Sequence, residues 1–183
     1  EDYLSSVQMG LWMPLSRAHG KTPREPWQYG DMALKEVKKW INFRHRLVPY
    51  LYHTACQTHQ SGIPMIRPLV MEYPKDPIAK IQNLSYMLGD ALLISPGFDR
   101  DEYELYLPEG RWQDIESKEV YEGMTFVHIE NKAFADGGTS LRVFQKEGTS
   151  IPLFTQKEVL HVPAQLWKQE DLEFMTFQKK DVD

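Results

Sequence analysis

At 183 residues, with 42% apolar and 26% charged side chains, the chain reads as a fragment, or as a domain that must dock on something. It falls short of the roughly 250 residues of a closed (β/α)8 barrel. A formal charge of -5, with Lys38-Lys39 and Lys179-Lys180 as isolated pairs on solvated faces, disfavours nucleic acid and other polyanions as partners.

No apolar run approaches the roughly 20 residues that span a bilayer. Cys56 is the only cysteine, which leaves no internal disulfide and fits a reducing compartment, so a cytoplasmic location is expected. The chain opens on Glu1-Asp2 without a leader pattern, and its true N-terminus is expected upstream.

In chain order, residues 2–9 read as the end of a short helix with Gly10 as terminator. Residues 11–15 are apolar on both faces, which suits a strand buried in a parallel sheet or barrel. Leu34, Val37, Ile41, Val48, Leu51 and Ala55 recur at three- and four-residue steps, predicting one long helix over 32–60. Asp31 is its expected N-cap, Gly62 and Pro64 its stop, and Pro49 an internal kink. Arg44 falls on the apolar stripe, where an unpaired charge is costly. A buried ion pair or a clamp on carbonyls, tying the helix to a part of the molecule outside this chain, is expected for it.

Short strands follow at 65–73, 91–94, 103–107, 125–129, 141–145 and 151–154. They are separated by Ser95-Pro96-Gly97, Pro108-Glu109-Gly110, Asp136-Gly137-Gly138 and Glu147-Gly148. This spacing indicates an antiparallel β-sandwich, with Trp112 as core or turn packing. Beyond Thr155 the chain is charged and irregular, and the junction at 75–80 is expected to be packed.

The candidate chemistry lies in SRAHG. If residues 11–15 form a barrel strand, Arg17 and His19 emerge past its C-terminal end, the face where barrel enzymes keep their sites. Read on its own, a His beside Gly is more often a structural loop residue. Arg17 either holds the loop or pairs with a carboxylate. Trp27 either presents its aromatic face to a ligand or packs the loop against its neighbours. No phosphate-binding Gly-rich loop, metal-ligand spacing among the six histidines, or G-x-S-x-G elbow is present, and no metal or cofactor is expected.

Taken together, LWMPLSRAHG, REPW, FRHRLVPYLYH, GIPMIRPLVMEYPKDP, LSYMLGDALLISP and YLPEGRWQD, in this order, resemble the end of the catalytic barrel and the following β-domain of glycoside hydrolase family 31. That family contains retaining α-glucosidases and α-xylosidases. The resemblance implies an α+β chain: the last strand-helix unit of a (β/α)8 barrel over 1–80, a β-sandwich over 81–155, and a tail or further β-domain over 156–183. It implies that the histidine of the R-x-H motif, here His19, hydrogen-bonds glycone hydroxyls, with Arg17 and Trp27 as further substrate-binding candidates.

Retaining glycosidases use two carboxyl groups about 5 Å apart. The family's motifs for them do not occur here, so no catalytic residue is assigned in this chain, and the chain alone is expected to be inactive. Asp90 of Leu88-Gly89-Asp90 is read as a local turn bond rather than an acid. The partners implied are a carbohydrate substrate and the remainder of the barrel. Leu11, Trp12, Met13 and Leu15 would lack strand neighbours in the isolated chain, which favours rearrangement or self-association there. The alternative is a free-standing, non-catalytic β-sandwich module that binds carbohydrate or protein.

Overall fold

Pro49 has no N–H and its ring crowds the carbonyl four residues back, so the helix expected over 32–60 is two helices. In the computed structural model, which describes residues 2–97, 102–130, 141–155 and 164–179, these are α2 (Asp31–Arg46) and α3 (Val48–Ser61), with Leu47 between them. Asp31 lies in the first turn of α2 rather than at its N-cap, which is Gly30. Gly62 ends α3 in the left-handed conformation at φ 75°, its N–H donating to the Thr58 carbonyl. The break faces α3 toward the β-sheet while α2 runs beside α1 (Asp2–Leu11).

Residues 11–15 are not a strand. Helix α1 continues through Gly10 to Leu11, and the chain then turns, with the Trp12 amide donating to the Met9 carbonyl and Met13 to Gly10. A Cβ at Gly10 would meet nothing within 4 Å, so the glycine does not force an end there. Leu11 and Trp12 are nevertheless buried. Trp12, 2% exposed, packs edge-on against Trp40 and tilted against Phe43. A strand in a parallel sheet would bury the same residues, which is why the apolar run reads either way. Met13 is half-buried, and Pro14 and Leu15 are exposed, Leu15 at 80%.

The remaining elements are the single turn α4 (Leu69–Glu72) and the strands β1 (Ile66–Pro68), β2 (Tyr86–Leu88), β3 (Leu92–Ser95), β4 (Glu102–Leu107), β5 (Arg111–Asp114), β6 (Val120–Glu122), β7 (Thr125–Glu130), β8 (Arg142–Lys146), β9 (Thr149–Phe154) and β10 (Leu172–Phe177). The strand expected over 65–73 therefore stops at Pro68 and turns into α4. Strands β2, β5, β6 and β10 were not anticipated. The turn at Asp136-Gly137-Gly138, His161 and Lys180 lie outside the described residues.

The chain is α+β, and every strand pairing among the described residues is antiparallel. A six-stranded sheet runs β1-β2-β3-β8-β5-β6, with β4-β7 and β9-β10 as two-stranded pairs. Register aligns Met87, Leu93 and Phe144 across three neighbouring strands. With Trp112 they cluster with Tyr103, Leu105, Leu107 and Ile129 of the β4–β7 pair. The alternate residues Tyr86, Leu88, Leu92, Ile94 and Val143 join Trp40 of α2, Tyr50 of α3 and Leu47 between them. A pleat that buries both faces produces near-continuous apolar strands, as LLIS of β3 shows.

Polar contacts lock these layers. Buried Arg67 on β1 donates to Asp90 Oδ1 at 2.6 Å, and its Nε lies 2.6 Å from Glu72 Oε1. Asp90 is thus an ion-pair partner, not the local turn residue expected, because a guanidinium with 7% of its side chain exposed requires compensation. The Trp112 indole N–H donates to the Pro108 carbonyl at 2.8 Å, so this tryptophan is core, as expected.

The 75–80 junction is packed, as expected. Asp76 accepts the amides of Ile78 and Ala79 and the Tyr106 hydroxyl, the last at 2.5 Å. Burial pushes the Asp76 carboxyl up, but these three donors outweigh it and hold it below its ordinary value. A depressed carboxyl contributes stability that is present above its ordinary pKa and lost as pH falls through the depressed one. Acid melting curves between about pH 5 and about pH 3 are therefore expected to fall more steeply for the wild type than for Asp76→Asn. Parallel curves would remove Asp76 from the acid transition.

Candidate active-site wall

Two helices and the loop between them enclose a cleft of about 520 Å³. Helix α1 lines it with Tyr3, Ser6, Val7, Gly10 and Leu11, and α2 with Val37, Ile41, Arg44 and His45. The loop contributes Leu15, Ser16, Arg17, Ala18, His19, Arg24 and Pro26. Arg17 and His19, singled out in SRAHG, therefore share one wall. Trp27 does not line it. It sits in the 3-10 turn Pro26–Tyr29 with 63% of its surface exposed.

The loop is anchored at both ends. At its start, the Arg44 guanidinium donates from Nη1 to the Leu11 carbonyl and from Nη2 to the Pro14 carbonyl, the latter at 3.0 Å. Arg44 is thus the carbonyl clamp that its place on the apolar stripe implied, but it clamps this chain's own turn. Leu11 ends α1, where carbonyls lack helical partners and a cation complements the helix dipole. Burial draws the Arg44 pKa below its ordinary value.

At the loop's far end, the Tyr3 hydroxyl donates to the Arg24 carbonyl at 2.8 Å, and the Tyr29 hydroxyl to the Pro23 carbonyl at 3.0 Å. The Tyr3 and Tyr29 rings stack, with centroids 3.6 Å apart. A Cβ at Gly20 would lie 2.7 Å from Arg24 Nε, so the glycine lets the Arg24 side chain fold back over the loop.

The lining side chains include three arginines and two histidines but no carboxylate. Such a wall is rich in donors, with acceptors at the Tyr3, Ser6 and Ser16 hydroxyls and at any neutral imidazole. It can orient hydroxyls or face anionic groups. It holds neither nucleophile nor acid for glycosidic cleavage, which needs a pair of carboxyl groups. Among the described residues no group of three or more His, Cys, Asp or Glu side chains converges as a metal site, and no helix is long and apolar enough to cross a membrane. Arg24, His45 and Tyr3 were not singled out in the sequence. Arg24 lies within REPW, and its basic side chain two residues ahead of Pro26 was a usable signal.

Residues 3–54 match the family model described as the glycosyl hydrolases family 31 TIM-barrel domain, and residues 62–157 the one described as the glycosyl hydrolase family 31 C-terminal domain. Neutral alpha-glucosidase AB of Homo sapiens is 34% identical over 152 residues, 79% of this chain and 16% of that protein. The 1,6-alpha-glucosyltransferase of Sporosarcina globispora is 32% identical over 160 residues, 85% of this chain and 12% of that protein. The solved structure of a family 31 dextranase from Flavobacterium johnsoniae, complexed with glucose, matches with a TM-score of 0.75 at 32% identity, covering 84% of this chain and 19% of that one. The chain spans less than a fifth of the length of each of these three proteins.

Proposed function

This chain belongs to glycosyl hydrolase family 31, and from that membership we propose that it forms the end of the catalytic barrel and the following β-sandwich of a parent enzyme that hydrolyses α-linked glucosides or xylosides with retention. The reaction runs through a covalent glycosyl-enzyme. One carboxylate attacks the anomeric carbon while a second carboxyl protonates the departing oxygen, then deprotonates the water that releases the sugar. Both carboxyl groups come from parts of the parent outside this chain. No metal or cofactor enters, since carboxyl groups perform every proton transfer and the attack.

His19 holds a glycone hydroxyl, donating from one ring nitrogen and accepting at the other. Arg17 steadies the loop or faces a carboxylate of the completed barrel, and Trp27, exposed here, offers an aromatic face to the sugar or to the rest of the barrel. A reducing, cytoplasmic setting fits the single cysteine.

The observation that carries this reading is the donor-rich, carboxylate-free wall holding Arg17 and His19 inside the segment that matches the barrel domain. That match also argues against a free-standing binding module, which has no use for a barrel segment. The glucosyltransferase relative favours one variant: a sugar hydroxyl instead of water accepts the glycosyl group from the same intermediate.

The test has two arms. The parent enzyme is expected to release the α-anomer first from aryl α-glycosides, followed by NMR, and initial β-anomer would overturn the retaining mechanism. The isolated 183-residue chain is expected to give no turnover on the same substrates. Activity that follows the purified chain through a sizing column would overturn the assignment of the carboxylates.

A further inference from the structure

The loop that carries Arg17 and His19 leaves α1 at a single turn, and the geometry of that turn is set from α2. Leu11 is the last residue of α1 and Pro14 the residue after which the chain runs out into the exposed loop. One guanidinium on the neighbouring helix reaches both carbonyls. The planar fork of arginine suits two acceptors in fixed relative positions, which a lysine ammonium, a single point donor, cannot match.

The other side of the turn is set by packing. Trp12, between the two clamped carbonyls, is wedged against Trp40 and Phe43 of the same helix. Downstream, the loop is next tied at the carbonyls of Pro23 and Arg24. His19 thus projects from a segment whose starting direction is defined by Arg44. Arg44 also lines the same cleft as His19.

We propose that Arg44 is a positioning residue for the sugar subsite: through its two bonds to the Leu11 and Pro14 carbonyls it fixes the direction in which the loop presents His19. This rests on the assignment of His19 to the glycone. Arg44 itself touches no substrate in this scheme. Its effect on catalysis passes through the histidine, because a displacement of about 1 Å in a binding group is enough to reduce rate on the order of a hundredfold.

A double-mutant cycle in the full-length parent enzyme tests it, using Arg44→Met, Arg44→Lys and His19→Ala, with kcat/KM per folded molecule on an aryl α-glycoside and the melting temperature both measured. The expected result is a fall of about tenfold or more in kcat/KM for Arg44→Met, with a smaller fall for Arg44→Lys. Most of either loss should disappear when His19 is already alanine, since a misdirected loop then carries nothing to misplace.

If Arg44→Met does not fold, Arg44→Lys alone carries the cycle. Losses that multiply with that of His19→Ala would overturn the inference, as would a lower melting temperature with kcat/KM intact. If His19→Ala itself leaves kcat/KM unchanged, the glycone assignment fails first and this inference with it. A strong His19→Ala effect without coupling to Arg44 would overturn the inference alone.

Discussion

Gly89→Ala is expected to lower stability by roughly 2 to 5 kcal/mol, a melting temperature drop of roughly 5 to 20 °C for a chain of this size. Gly89 sits in the β2–β3 turn at φ 59°, in the left-handed region that costs any residue with a Cβ on the order of 1 kcal/mol or more. A Cβ there would lie 2.4 Å from the Tyr50 hydroxyl oxygen and 2.9 Å from Thr54 Oγ1.

Neither neighbour is free to withdraw. The Tyr50 hydroxyl donates to the Leu88 carbonyl at 2.6 Å and accepts the Ala91 amide at 3.1 Å, so it ties together both sides of the turn that Gly89 makes. Thr54 Oγ1 donates to the Tyr50 carbonyl at 2.9 Å. Burial holds the Tyr50 hydroxyl up at about 12, so it stays a neutral donor through the physiological range. Clearing the methyl would break one of these buried bonds, leaving a polar group without its partner. A thermal melt of Gly89→Ala within about 1 kcal/mol of wild type would show that the α3–turn contact is looser than drawn.

Much of this was legible in the sequence, and the misses have physical causes. Periodicity located the helical region because its apolar side chains face one way, and Pro49 marked the break. The depth of that break was underestimated: a missing N–H and a crowded carbonyl sufficed to separate α2 from α3 rather than bend one helix. The apolar run at 11–15 was misread because burial alone does not distinguish a strand from a turn tucked under an aromatic cluster. Strands β5 and β6 are short and half polar. LEFMTF of β10 is apolar at 172, 174, 175 and 177 and polar at 173 and 176, which gives no period-two alternation to read within a segment set aside as irregular.

Arg44 was flagged correctly as a charge in need of a partner, but its acceptors are carbonyls 30 and 33 residues away in sequence. No local pattern identifies those. The same holds for Asp90 and Arg67, whose pairing across 23 residues depends on β1 lying beside β2. Long-range partners follow from topology, whereas residue types that demand a partner are visible beforehand.

His19→Ala is expected to reduce kcat/KM of the parent enzyme by about ten- to a hundredfold while leaving its melting temperature nearly unchanged. One hydrogen bond to a site that becomes charged is worth roughly 1.5 to 3 kcal/mol. Such a bond contributes to rate only where it strengthens as the sugar ring flattens toward the oxocarbenium-like transition state. The small stability effect follows from location: His19 is exposed on the loop wall, away from the apolar clusters, and surface substitutions of that kind shift stability by about 0.5 kcal/mol or less.

The loop's anchors belong to other residues, namely Arg44, Tyr3 and Tyr29, so removing the imidazole leaves the backbone path in place. A histidine that merely braced the loop would give the opposite pattern. Melting temperature would fall, and kcat/KM per folded molecule would stay near wild type. Measuring both on one preparation separates the two roles, and a stable His19→Ala enzyme with wild-type kcat/KM would take His19 out of the sugar site.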